Sequence, residues 1–222
     1  MERVGLLFDL DGTLLDTLED LYLGTNGALK ELGLPPRTRQ EVRAFVGNGA
    51  RRLMELSLPG LPTDPGVDQA LEAFQRIYGR ICREHTAPYP GVLEALQQLR
   101  REGYPMAVVS NKPHFAVQEL CDAHFSGLMT ACQGETPEIP RKPAPDMVRL
   151  AAKHLGRTPE RCIYIGDSEV DVLTARNACM SCLSVTWGFR DRACLEEAGG
   201  KHFCQNPKDL AAKLEEMIGN GK

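Results

Sequence analysis

No stretch of this 222-residue chain approaches the roughly 18 consecutive apolar residues that a membrane-spanning helix needs. Charge of one sign is not in excess: 26 Lys+Arg against 30 Asp+Glu leave a formal charge of −4. That provides no broad basic footprint for nucleic acid and no charge-driven disordered tail. An export segment is not expected either. The apolar run after Met1-Glu2-Arg3 ends at Asp9, too short and too acidic for a secretory h-region. The eight cysteines are therefore expected to be reduced thiols of a cytoplasmic protein. Cys179 and Cys182 form a lone CxxC, without a second pair at zinc-finger spacing or a thioredoxin-like context. His85, His114, His124, His154 and His202 are scattered and show no ligand spacing. What remains is a globular composition, 42% hydrophobic and 25% charged, able to bury a core without disulfides or structural metal.

Short apolar runs alternate with helical patterns. Val4–Phe8, Met106–Ser110, Leu128–Cys132, Cys162–Gly166 and Cys182–Thr186 read as strands. Helical spacing marks Val92–Glu102, Phe115–Ala123, Pro145–Leu155 and Leu210–Ile218. The expectation is an α/β fold, a Rossmann-like parallel sheet with helices on both faces. Residues 16–86 break the alternation and read as helices only. Leu18, Leu21, Tyr22, Thr25 and Leu29 recur at helical spacing before Gly33. Thr38-x-x-Glu41 is a capping-box signature, and Asp64-Pro65 fits an N-cap followed by Pro at the first helical position. From Val67 to Ile81 the apolar residues, Tyr78 among them, share one face. A helical insert of residues 16–86 is expected after the first strand, with residues 1–15 and 87–222 forming the sheet domain.

Four groups of reactive residues fall at carboxyl ends of expected strands, the edge where open α/β sheets bind ligands. Asp9 and Asp11 flank Leu10 ahead of Gly12-Thr13; two close carboxylates suit a hard cation and a division into nucleophile and general acid/base. Asp-Gly is equally a common turn dipeptide. Ser110-Asn111-Lys112-Pro113 follows a strand, and Pro113 as a first helical residue would aim Ser110 and the Asn111 amides at an anion. Lys142 precedes Pro143, where an extended backbone can hold its ammonium against a phosphate. Asp167 lies just past a strand, with Asp171 one helical turn on, so one carboxylate can bind metal while the other orients the site. Each group has an ordinary structural reading, as a turn, a cap or a solvated lysine. Together they form a metal-assisted phosphate site.

Asp9-Leu10-Asp11-Gly12-Thr13, Ser110-Asn111-Lys112, Lys142-Pro143 and Gly166-Asp167-x-x-x-Asp171 resemble, in order, the four motifs of the haloacid-dehalogenase-like hydrolases. The helical insert is similar to that superfamily's C1 cap. Phe45-Val46-Gly47-Asn48-Gly49-Ala50 and Tyr89-Pro90-Gly91-Val92 look most like the phosphoglycolate phosphatases. Asp11 favours phosphoryl transfer, since the carbon–halogen hydrolases lack that second aspartate. Gly134–Arg141, rich in proline and glutamate, departs from the pattern at the rim. The resemblance implies Asp9 as nucleophile, Asp11 as general acid and then base, and Ser110, Asn111 and Lys142 on the phosphate. It also implies Mg²⁺ on Asp9, Asp11 (through its carbonyl) and Asp167, with Asp171 in support. The expected partner is a small phosphate ester, neither nucleic acid nor membrane. In the cap, Gly47, Asn48 and Gly49 could present amides to a substrate carboxylate, with Arg51 or Arg52 adding charge. Trp187-Gly188-Phe189 is expected only to pack.

Other readings stay open at this level: a pyrophosphatase, nucleotidase or sugar-phosphate phosphatase of the same superfamily, a phosphoacceptor of response-regulator type, or a catalytically silent phosphate-binding protein. The response-regulator type would lack the helical insert.

Overall fold

The structure, a computed structural model, describes residues 2–60 and 62–220. β1 (Gly5–Phe8) is buried along its whole length, as its unbroken apolar sequence requires of a central parallel strand. The chain passes through a two-residue strand, β2 (Leu15–Asp16), into four helices: α1 (Leu18–Glu31), α2 (Arg39–Phe45), α3 (Gly49–Ser57) and α4 (Asp64–Ile81). It returns through β3 (Ala87–Pro88), which pairs antiparallel with β2. Then follow α5 (Val92–Arg101), β4 (Met106–Pro113), α6 (His114–Phe125), β5 (Ala131–Glu135), α7 (Asp146–His154), β6 (Cys162–Gly166), α8 (Glu169–Ala178), β7 (Ser181–Val185), α9 (Arg192–Glu197), β8 (His202–Cys204) and α10 (Leu210–Asn220).

The main sheet has the order β5-β4-β1-β6-β7-β8, and every neighbouring pair is parallel. Alternation along β1 divides the core. Leu6 and Phe8 pack under α5, α6 and α10, while Leu7 faces α7 and α8. The four helices α1–α4 bury a separate cluster, centred on Leu29, Met54, Phe74 and Tyr78, into which Phe189 projects from the loop after β7. The Thr38–Glu41 capping box forms: Glu41 N donates to Thr38 Oγ1 (3.2 Å) and Thr38 N to the Glu41 carboxylate (2.7 Å). Where the chain leaves this helical unit, buried Asp20 accepts hydrogen bonds from His85 N and Thr86 N at 3.0 and 2.8 Å. Among the described residues no helix is long and apolar enough to cross a membrane.

The structure differs from the sequence reading in detail. β5 lies three residues later than expected. Leu128 and Met129 are partly buried against the main core from the preceding turn, and the edge strand itself is the less apolar Ala-Cys-Gln-Gly-Glu. β4 runs on to Pro113, which caps α6 with extended ψ rather than opening it. Thr63, not Asp64, is the N-cap of α4. The short elements β8 and α9 have no counterpart in the expected pattern.

Candidate active site

The register of the sheet sets the site. Phe8 is level with Val108 on β4 and Ile165 on β6, so the residues that follow all three strands emerge at one edge. Asp9 N donates to Ile165 O at 2.8 Å and holds that aspartate beside Asp167. Lys142 reaches the same point from the loop before α7. Its Nζ lies 2.9 Å from Asp9 Oδ1, 2.8 Å from Asp171 Oδ1 and 2.8 Å from the Tyr164 hydroxyl, so all three ammonium protons have partners. The other oxygen of Asp171 accepts from Ser168 N (3.1 Å) and Ser168 Oγ (2.6 Å) at the start of α8.

Asp9, Asp167 and Asp171 are buried and offer carboxylate oxygens within 4.8 Å of one another. One ammonium does not neutralise three carboxylates. Burial first, and then the Asp171 charge, raise the Asp9 carboxyl well above its ordinary range. The same two causes push Asp167 up to about 7, against hydrogen bonds from Phe189 N (2.7 Å) and Thr13 Oγ1 (3.0 Å). A pocket of buried oxygens short of positive charge fits a hard divalent cation. Asp171 is committed to Lys142 and Ser168, which leaves Asp9 and Asp167 as the freer donors. Gly12, at φ +84°, is required here, because a Cβ at that position would run into the Asp167 carboxylate.

On the other side of Asp9 a cavity of about 50 Å³ separates the sheet edge from the helical unit. Asp9, Asp11, Ser110 and Lys112 form its polar floor; Leu53, Phe74 and Tyr78 form an apolar roof. Phe74 and Tyr78 stack with ring centres 5.1 Å apart. Asp11 Oδ1 lies 3.0 Å from Lys112 Nζ, which also donates to the Tyr78 hydroxyl at 2.7 Å. Burial works against the Lys112 ammonium, but contact with Asp11 and Tyr78 outweighs it and holds the lysine firmly charged.

A family model described as haloacid dehalogenase-like hydrolase matches residues 6–185, most of the chain. The chain belongs to this family. A phosphoglycolate phosphatase of Pseudomonas putida is 37% identical over 192 residues, 83% of this chain and 70% of that protein. A phosphoglycolate phosphatase of Rhodobacter capsulatus is 35% identical over 192 residues, 83% of this chain and 85% of its own. A crystal structure from Lactobacillus delbrueckii subsp. bulgaricus, provisionally named a phosphoglycolate phosphatase, superposes with a TM-score of 0.88 at 35% identity, covering 95% of this chain and 97% of that one.

In this hydrolase Asp9, Asp11, Ser110, Asp167 and Asp171 converge from the ends of their strands, and Lys142 joins them from the loop between β5 and α7. Asn111 has a different occupation. Its Oδ1 accepts from Lys142 N (2.8 Å), and its Nδ2 donates to Lys142 O (3.0 Å) and Gly47 O (3.1 Å). Its side chain therefore fixes the lysine loop and touches the helical unit. Gly47 and Gly49 line the cavity; Asn48, between them, precedes α3 and does not. Arg51 and Arg52 point away from it. Arg51 pairs with Asp68 (2.6 Å) and Asp64 (3.4 Å), and Arg52 with Glu55 (2.9 Å), on the exposed face of the unit. Cys179 and Cys182 are free thiols.

Two features of the hydrolase escaped sequence reasoning. Lys112 was visible only as part of its tetrapeptide, and Tyr78 as one apolar position of α4. The segment expected only to pack, Trp187–Phe189, is bonded into the site: Trp187 Nε1 donates to Thr13 O (3.0 Å) and Phe189 N to Asp167. The next residue, Arg190, pairs with Glu169 (2.9 Å) and donates to Arg43 O (3.0 Å) and Val46 O (2.7 Å) at the C-terminal end of α2. The only signal for it was its place after another strand of the sheet.

Proposed function

We propose that the protein is a Mg²⁺-dependent phosphatase of small phosphomonoesters, with 2-phosphoglycolate as substrate, and that residues 16–86 act as a cap over a catalytic domain of residues 1–15 and 87–222. The observation that carries the reading is the small cavity between the sheet edge and the helical unit. Its floor holds two carboxylates and two buried lysines, and its roof leaves about 50 Å³. That space suits a leaving group of a few atoms. The names of the relatives point to phosphoglycolate among such esters.

Asp9 attacks phosphorus and becomes an aspartyl phosphate as the alkoxide leaves. Asp11 gives its proton to that alkoxide and then takes one from the water that hydrolyses the acyl phosphate. Ser110 and Lys142 hold the phosphoryl oxygens, and Lys142 keeps Asp9 aligned through their 2.9 Å contact. A Mg²⁺ held by Asp9, Asp167 and the carbonyl of Asp11 supplies charge neutralisation on those oxygens when bound. Asp171 orients Lys142 rather than ligating. The backbone of Gly47 and Gly49 faces the leaving group from the cap, and Leu53, Phe74 and Tyr78 cover it with apolar side chains.

The test is phosphate release from 2-phosphoglycolate, pyrophosphate, nucleoside monophosphates and sugar phosphates, with Mg²⁺ and with excess chelator. The expected result is the highest kcat/KM for 2-phosphoglycolate and activity that is lost on chelation and restored by Mg²⁺. A highest value for pyrophosphate or a nucleotide refutes the substrate while leaving the phosphatase chemistry standing. Undiminished turnover in excess chelator refutes the cation.

A further inference from the structure

We propose that Lys112 recognises the carboxylate of the leaving group and so sets specificity for acidic phosphate esters; this rests on the phosphatase reading above. Charge accounting in the cavity leads to it. Among the described residues, the cations lining the cavity are Lys112 and Lys142. Lys142 is already engaged by Asp9, Asp171 and Tyr164 and, in the mechanism above, by the phosphoryl oxygens, so it is not free to serve a carboxylate as well. Arg51 and Arg52 are tied to carboxylates on the outer face. A substrate carboxylate under the roof would meet Asp9 and Asp11 on the floor and apolar side chains above, which is strongly unfavourable without a cation. Lys112 has two partners, Asp11 and Tyr78, and an ammonium has three protons.

The position of Lys112 matches this task. It stands 3.0 Å from Asp11, the group that protonates the leaving oxygen. With Asp11 at hydrogen-bond reach of that oxygen, the ammonium is within about 6 Å of it. That distance is spanned by one methylene and a carboxylate. A longer acidic leaving group would overshoot and strike Phe74 or Tyr78. The lysine is also fixed. It is buried at the end of β4, its N–H donates to Ser110 Oγ at 3.2 Å, and its ammonium sits 4.7 Å from the centre of the Tyr78 ring. Tyr78 belongs to α4 and Asp11 to the sheet domain, so the subsite is complete only when the helical unit is seated on the sheet edge.

The experiment compares 2-phosphoglycolate with 2-hydroxyethyl phosphate, which replaces the carboxylate by a neutral alcohol of similar length. The readout is the ratio of their kcat/KM values in wild type, Lys112→Met, Lys112→Gln and Lys112→Arg. Wild type should favour the acid. Lys112→Met and Lys112→Gln should each lower the ratio about ten- to a hundredfold, whatever the common loss from disturbing Asp11, and Lys112→Arg should keep part of it. Either neutral variant suffices should the other fail to fold. A ratio within threefold of wild type in the neutral variants overturns the assignment of Lys112 and leaves phosphoglycolate as substrate. A wild-type enzyme that is active on both esters but does not distinguish them overturns the substrate reading and this inference together.

Discussion

Lys142→Met is the substitution with the most to say about the site, because it removes one ammonium from among buried carboxylates and leaves their packing nearly unchanged in volume. In the wild type that ammonium contacts Asp9 and Asp171 at 2.9 and 2.8 Å. Breaking a buried ion pair from one side costs about 3–5 kcal/mol. For a protein of this size that is a fall in Tm on the order of 10 °C. The pH dependence has a definite sign. Asp9 is raised well above the ordinary carboxyl value and Asp167 lies at about 7, while Lys142 holds both lower than burial alone would. Without the lysine both rise further. A carboxyl whose folded value is raised keeps a proton that the unfolded chain releases near pH 4, so it loses stability as pH climbs from about 4 through its folded value. The deficit of the variant should therefore be smaller at pH 5 than at pH 8 and grow as pH climbs through about 7. The assay is urea denaturation of both proteins in chelator at pH 5, 6.5 and 8, alongside phosphate release, which the variant should lack. A deficit below about 1 kcal/mol at pH 8, or one larger at pH 5 than at pH 8, would refute the electrostatic account of this cluster.

Two other substitutions separate chemistry from closure. Asp11→Asn should lower turnover roughly 10²–10⁴-fold for an alkyl phosphate and much less for the first step on an activated aryl phosphate, which needs little protonation; equal losses on both, measured by rapid phosphate and phenol release, would count against Asp11 as the proton donor. Arg190→Ala removes the bonds from the post-β7 loop to the end of α2 and leaves Glu169 unpaired, so it should destabilise by about 1–2 kcal/mol and raise KM more than it lowers kcat; a fall in kcat with KM unchanged would place Arg190 in the chemical step instead.

The residues legible from sequence alone are those whose position is determined by the chain's own local pattern. Asp9, Asp11, Asp167 and Asp171 each follow an apolar run that can only be a central strand, and the parallel sheet then brings such ends to one edge. Lys142 was legible through its neighbouring prolines. The edge strand β5 was misplaced because apolarity marks burial, and Leu128 and Met129 are partly buried without belonging to the ladder. Lys112, Tyr78 and Arg190 were not legible because their significance is a contact between elements far apart in sequence: Lys112 with Tyr78 across 34 positions, Arg190 with Val46 across 144. Arg51 and Arg52 show the converse. Their type and their place after Gly49 suited a substrate carboxylate, but a helical turn of rotation carried both to the acidic outer face, where Glu55, Asp64 and Asp68 meet them.

The two-residue ribbon of β2 and β3 has a consequence beyond holding the linkers. Leu15 pairs with Pro88 and Asp16 with Ala87, and Tyr89 N donates to Leu14 O at 3.1 Å, so entry to and exit from the helical unit lie side by side. A guest inserted at such a doorway leaves the host sheet's connectivity and register untouched. Lineages sharing the sheet could exchange, enlarge or lose the guest in one genetic event and acquire a new leaving-group chamber above an unchanged pair of aspartates. The same doorway gives engineers a splice point: a short turn from Asp16 to Ala87 would close the ribbon as a hairpin and leave the six-stranded sheet without the helical unit.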